Sequence, residues 1–170
     1  MLDYYFYMMR SKKLNPKKGC ALFNKYKLKK PAKILTRCGI QLADNVSILR
    51  PFTFTDGNLD IGHSVYINTG CFFLDMGNIK IGNNTLIGPY CQFYTVTHEI
   101  EPDKRIINSE GFVKNITIGN NVWIGGGVII CPGVTVGDNS VIAAGSVVTK
   151  NVPANSMYAG NPAVLKKMFN

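Results

Sequence analysis

Apolar residues recur along this chain every six positions, a spacing that belongs to neither an amphipathic helix nor a simple alternating strand. From Ile118 the aliphatic positions are Ile118, Ile124, Ile130, Val136, Ile142 and Val148, with no slip. The residue after each is Gly119, Gly125, Cys131, Gly137, Ala143 or Thr149. The fourth residue after each is Val122, Val128, Val134, Ser140, Ser146 or Val152. Looser triplets stand upstream, at Leu42, Ile48 and Phe54, at Ile61, Ile67 and Phe73, and at Ile81, Ile87 and Phe93. The triplets begin at 42, 61, 81, 118 and 136, so three hexads make a unit of about 18 residues, and the one long interval hides about 19 inserted residues.

A helix needs apolar residues at i, i+3, i+4 and i+7, which the hexads do not supply, and their Gly and β-branched content disfavours helix. Short strands that turn inward once per hexad, with a small residue at each bend, stack instead into a triangular prism. Each coil then buries its side chains on the next, as repeat proteins do. The pattern predicts an all-β solenoid of about five coils over residues 38–153. On this register Cys71 and Cys91 fall one coil apart at the same hexad position and should stack inside.

The ends differ in character. Asn161-Pro162 reads as an N-cap followed by Pro at the first helical position, so Ala163 to Phe169 is expected to form a short helix within a C-terminal extension, 154–170. Residues 1–37 read as a short N-terminal arm. The insertion, near 99–117, is a long loop extruded from the solenoid, and loops of that length in compact folds usually serve function. At its root stands His98, one of two histidines in the chain; the other, His63, lies in an ordinary hexad.

Charge alters the picture only at the N-terminus. Of 19 Lys and Arg, eleven lie in residues 1–37 with a single acid, Asp3, whereas the other 133 residues carry eight basic and nine acidic groups. The body is nearly neutral, so the overall charge of +9 is no nucleic-acid footprint, which would need a basic face on the folded part. Lysines that follow the aromatic start Tyr4, Tyr5, Phe6 and Tyr7 suit peripheral contact with an anionic membrane surface through residues 1–30. No run approaches the ~18 apolar residues of a membrane span. The start has its basic residues after its apolar ones, the reverse of a secretory signal, so a cytoplasmic protein is expected. Five cysteines without a Cys-x-x-Cys pair suggest neither a disulfide framework nor a thiolate zinc site.

Several phrases carry a resemblance. They are Val65-Tyr66-Ile67-Asn68, Phe73-Leu74-Asp75, Thr95-Val96-Thr97-His98, Ile118 to Gly125, Pro132 to Asn139, Val147 to Lys150 and Ala159 to Ala163. Over about residues 50–167 the chain resembles the hexapeptide-repeat acyltransferases, in their maltose and galactoside O-acetyltransferase branch. That resemblance implies a left-handed parallel β-helix, although the ordinary rule for parallel crossovers is right-handed. It also implies a homotrimer that binds acetyl-CoA between neighbouring prisms and moves the acetyl group directly to a saccharide hydroxyl, with no metal.

By the resemblance His98 is the general base, Asn68 contacts donor and acceptor, and Asp75 and Thr55 belong to the acceptor pocket. Gly126 lends a backbone amide near the thioester oxygen. Trp123, Ala144, Thr149, Lys150 and Lys167 line the cofactor groove. The residue types suit the chemistry: a sugar hydroxyl is a poor nucleophile, and a positioned base adds about 10²–10⁴ in rate. Two departures concern the acceptor, since Glu99 follows His98 where the family commonly has proline, and the short basic arm replaces a helical N-terminal segment. Competing readings are transfer to a non-sugar acceptor such as serine or an antibiotic, and a non-catalytic trimeric scaffold. A zinc hydratase of the same fold needs three histidines, and the chain has two.

Overall fold

The structure is a computed structural model that describes residues 13–25 and 32–170. It is a left-handed parallel β-helix of about six turns, with few helices. Three parallel sheets form its faces. Face A stacks Gln41–Leu42, Leu59–Ile61, Ile79–Ile81, Ile116–Ile118 and Thr135–Val136; face C stacks Phe52–Phe54, Cys71–Leu74, Gln92–Tyr94, Ile129–Ile130 and Val147–Val148. Face B runs from Ser47–Ile48 through Tyr66–Ile67, Leu86–Ile87, Trp123–Ile124 and Val141–Ile142 to Ser156–Ala159.

The hexad residues are the columns of this prism. Ile61, Ile81, Ile118 and Val136 are register partners on face A, Ile67, Ile87, Ile124 and Ile142 on face B, and Phe73 and Phe93 on face C, continued by Ile130 and Val148. All are buried. Phe73 and Phe93 stack with ring centroids 4.6 Å apart and planes 3° from parallel. Polar residues inside the turns are satisfied by backbone carbonyls: Thr85 Oγ1 donates to Gly119 O at 3.0 Å and Ser140 Oγ to Pro153 O at 2.8 Å. Cys71 and Cys91 are buried together as the register requires; hydrogen bonding with Cys91 and burial push the Cys71 thiol up, away from thiolate chemistry.

Each turn from face A to face B uses a residue in the left-handed region, and these are Asn45, Ser64, Asn84, Asn121, Asn139 and Asn155. Asparagine tolerates that conformation and hydrogen-bonds locally. Its carboxamides also link coils, as when Asn121 Nδ2 donates to Asn139 Oδ1 and Asn139 Nδ2 to Asn155 Oδ1, both at 2.9 Å. His63 lies at such a turn, exposed, with Nδ1 4.0 Å from Asp44 Oδ2.

Both ends depart from expectation. The described part of the N-terminal arm is helical and closes the open end of the prism. Helix α1 (Pro16–Lys25) and helix α2 (Ala32–Arg37) bury Phe23, Ile34 and Leu35 in the common core. Phe23 meets Phe52 edge to face at 6.0 Å. Asn24 completes the seal: its carboxamide donates to Phe52 O and accepts from Phe52 N, both at 2.9 Å, so it stands in for a neighbouring strand at an exposed sheet edge. The aromatic start and Arg10, Lys12, Lys27, Lys29 and Lys30 lie outside the described residues.

At the C-terminus the expected helix is absent. Val164–Met168 is a strand that pairs antiparallel with Ser156–Ala159, and Asn161-Pro162 sits in the turn between them. The face-B edge offers those backbone groups partners that a helix of about two turns would leave largely unpaired. The insertion is likewise ordered. Val96–Thr97 pairs antiparallel with Phe112–Val113, and between them helix α3 (Pro102–Ile107) stands in solvent. No described helix is long and apolar enough to cross a membrane.

The stacked rings make a direct test of the column. Phe73→Ala is expected to cost about 3–5 kcal/mol of unfolding free energy by denaturant titration; a loss under ~1 kcal/mol would mean the column closes over the gap.

Candidate functional site

The turns from face B to face C stack as one edge of the prism. After the first turn, Leu49-Arg50-Pro51, their first residues are Asn68, Gly88, Gly125 and Ala143, and their second residues Thr69, Pro89, Gly126 and Ala144. The first position is tied inward, since Asn68 N donates to Ile87 O at 2.9 Å, Gly88 N to Ile124 O at 2.7 Å and Gly125 N to Ile142 O at 2.8 Å. Here glycine is a packing requirement: a Cβ on Gly88 would lie 2.5 Å from Gly126 N, and one on Gly125 2.5 Å from Ala144 N.

The second position is where chemistry becomes available. Thr69 N donates to Asn68 Oδ1 at 2.7 Å, and Pro89 has no N–H. The N–H groups of Gly126 and Ala144 have no acceptor among the described residues. Two outward backbone donors therefore follow one another along this edge, one coil apart, at the ~4.8 Å spacing of neighbouring strands. Such an array suits a chain of carbonyl oxygens or a developing oxyanion. Trp123, 58% exposed, stands two residues before Gly125 on face B.

The other predicted residues gather on the opposite edge, between face C and face A. His98 is exposed beyond the strand Val96–Thr97, and Thr149 and Lys150 are exposed after Val147–Val148. Lys167 lies apart, on the terminal strand paired with Met157. Asn68, Gly126 and Ala144 are thus separated from His98, Thr149 and Lys150 by the width of face C, on the order of 15 Å at ~3.3 Å per residue. In one copy the residues expected at the site thus fall in two groups, one on each edge.

Asp75 and Thr55 do not join either group. Asp75 is fully buried, and its Oδ1 accepts from Thr55 N at 2.7 Å, Thr55 Oγ1 at 2.9 Å and Asp56 N at 3.0 Å. Its Oδ2 accepts from Gly57 N and Asn58 N, both at 2.7 Å. Five donors fill the lone pairs of Asp75, which holds the Thr55–Asn58 turn. The resemblance implied an acceptor-pocket place for this carboxylate; only the closed turn shows where its oxygens go.

One residue at the site escaped the sequence reading. Gly111, φ +81°, lies under the imidazole of His98, where a Cβ would fall 2.9 Å from Nδ1 and 2.5 Å from Thr97 O. The signal was the pairing of Val96–Thr97 with Phe112–Val113, which a six-residue period does not contain. Arg105 Nη1 donates to Glu99 O at 3.3 Å and Ile100 O at 3.2 Å, fastening α3 to the segment that carries His98. A hollow of about 700 Å³ along face A, beside Asp60, His63 and Lys80, lies away from both groups. Among the described residues no three His, Cys, Asp or Glu side chains are grouped to hold a metal ion.

Comparison with known proteins bears on this arrangement. The family profile of the bacterial transferase hexapeptide, six repeats, matches residues 115–150. A Staphylococcus aureus protein with a provisional acetyltransferase name is 51% identical over 131 residues, which are 75% of this chain and 64% of that protein. The chain thus spans less than two thirds of that relative's length. A hexapeptide-repeat acetyltransferase from Vibrio cholerae, solved with acetyl-CoA, is 32% identical with a TM-score of 0.87, covering 92% of this chain and 86% of that one. A maltose O-acetyltransferase from Clostridium difficile is 39% identical with a TM-score of 0.80, covering 91% and 84%.

The role of Asp75 can be read from stability. Asp75→Ala strands four backbone N–H groups and is expected to cost roughly 3–5 kcal/mol. Thermal unfolding within a degree or so of the unsubstituted protein would return Asp75 to the list of ligand-binding groups.

Proposed function

The chain belongs to the hexapeptide-repeat acetyltransferases, and we propose that it moves the acetyl group of acetyl-CoA directly to a hydroxyl of a saccharide, at sites shared between copies of a homotrimer. The observation that carries this reading is the pair of outward N–H groups at Gly126 and Ala144 on one edge, set against His98 on the other. Neither edge holds a complete apparatus for acyl transfer. Packing the Asn68 edge of one copy beside the His98 edge of the next brings base, donor amides and acceptor contact to one groove. The inserted segment suits that arrangement, because Ile100, Ile106 and Ile107 are more than three quarters exposed in a single copy. Closed rings built from one repeated contact are the ordinary way to pair unlike edges.

In this groove the hydroxyl oxygen attacks the thioester carbonyl carbon while its proton passes to the His98 imidazole. The negative charge that grows on the carbonyl oxygen is met by the Gly126 N–H. The carbon–sulfur bond then breaks, and the imidazolium proton goes to the departing CoA sulfur. Base and oxyanion donor are each worth about 10²–10⁴ and 10²–10³ in rate. Asn68, whose Oδ1 caps Thr69 N, presents its carboxamide nitrogen toward the same edge. The Ala144 N–H suits a carbonyl of the pantetheine arm, and Lys150 and Lys167 suit its phosphates. The maltose O-acetyltransferase likeness supports a sugar as acceptor.

Three outcomes test the proposal. With acetyl-CoA and a panel of sugars, oligosaccharides, serine and aminoglycosides, CoA thiol release is expected for saccharides. His98→Ala is expected to lower kcat/KM by about 10²–10⁴ with unchanged melting, and Gly111→Ala, which moves the ring, by roughly 10². Mixing inactive Asn68→Ala and His98→Ala chains is expected to restore activity at about a quarter of sites by random assortment around a ring. No recovery would place each site within one chain.

A further inference from the structure

After the first turn, Leu49-Arg50-Pro51, the four turns from face B to face C share one build and differ at one place. Their third residue takes the left-handed conformation and is glycine at Gly70, Gly127 and Gly145, with φ of +76°, +68° and +70°. In the remaining coil it is Tyr90, φ +58°. Every other non-glycine residue described with such a φ is asparagine or serine. A bulky side chain is disfavoured there because its Cβ crowds the carbonyl that follows. Tyr90 gains no burial in exchange, since it is 63% exposed.

The ring is nonetheless held in place. It lies across Gly70, where a Cβ would come within 2.4 Å of its Cδ1 atom, so the glycine in the coil below leaves the space that the ring occupies. Tyr90 N donates to Thr69 O at 2.9 Å, and Gly127 N to Pro89 O at 2.7 Å. This sets Tyr90 one coil from Asn68 and one coil from the unpaired N–H of Gly126. Along the edge the order is Asn68, Tyr90, Gly126, Ala144, so the ring is on the Asn68 side of the oxyanion donor and the second free amide is on the other. Outward on face C nearby, Phe72 and Tyr94 set their rings 6.1 Å apart and extend the aromatic surface.

Residues kept in disfavoured backbone regions gather at ligand sites. We propose that Tyr90 selects the acceptor: its exposed ring is a platform for the C–H face of a pyranose ring whose hydroxyl is presented to the base. The inference rests on the acetyl-transfer reading above and narrows its acceptor to a pyranoside, as opposed to an amino acid. The position of the ring, away from Ala144, assigns it to the acceptor and not to the donor.

The test uses the full chain with acetyl-CoA and the best saccharide from the acceptor panel. Tyr90→Gly, the residue that the three like turns carry, and Tyr90→Asn, the residue that most face A to face B turns carry in the same conformation, are expected to melt at the same or a higher temperature. Both are expected to raise KM for the saccharide about tenfold, with KM for acetyl-CoA within about twofold, and Tyr90→Phe to keep the original value. An unchanged saccharide KM in both variants overturns the proposal, and a rise confined to acetyl-CoA overturns it by moving the ring to the donor. If the unsubstituted protein acetylates no saccharide, the acetyl-transfer reading falls and this inference with it; transfer with unaltered saccharide KM removes this inference alone.

Discussion

A strand of two or three residues has too few hydrogen bonds to persist alone, so each coil depends on the parallel ladders above and below it. That dependence requires every inward side chain to sit on its counterpart one coil away. Ile67 over Ile87 over Ile124 over Ile142 is such a column, and a one-residue slip would turn it toward solvent. Extra residues can therefore enter only at a turn. The inserted segment leaves after Gln92–Tyr94, and the coil resumes with Ile116–Ile118 paired to Ile79–Ile81 as though nothing intervened. The same constraint builds the functional edges, because turns that must stack bring residues about 18–20 positions apart in the chain into a line.

A stack of coils ends in two unpartnered faces, and repeat proteins need distinct caps there. At one end α1 and α2 cover the first coil with Phe23, Ile34 and Leu35, while Asn24 occupies the free backbone groups of Phe52. At the other, the Val164–Met168 strand folds back on Ser156–Ala159. The basic charge of the N-terminal segment thus rides on a structural element: Lys17, Lys18 and Lys25 project from the solvent side of a helix whose other side is core.

The proposed chemistry draws on the turns and on the one inserted segment. Gly126 and Ala144 keep their N–H groups because turns bend outward at the second residue, Asn68 replaces the small first residue of its turn, and His98 stands on the one segment that leaves the ladder. A carboxylate at another turn, Asp75, is spent on four backbone N–H groups and one hydroxyl of the turn one coil before it. Proximity in a repeat does not assign a role, since the same turn that offers a group to a ligand can consume it.

The sequence by itself determined the prism, its coil length, its inward columns down to the paired Cys71 and Cys91, and the point where the insertion leaves. It could do so because the six-residue period is a local rule repeated many times. The ends were not legible. Asn161-Pro162 has the local signature of a helix start, but the free edge of Ser156–Ala159 supplied backbone partners that only a neighbouring coil could offer. Equally beyond the sequence were the filled oxygens of Asp75 and the glycine beneath His98. These are contacts between residues that no period relates, and they came into being only when the coils closed and the turns met.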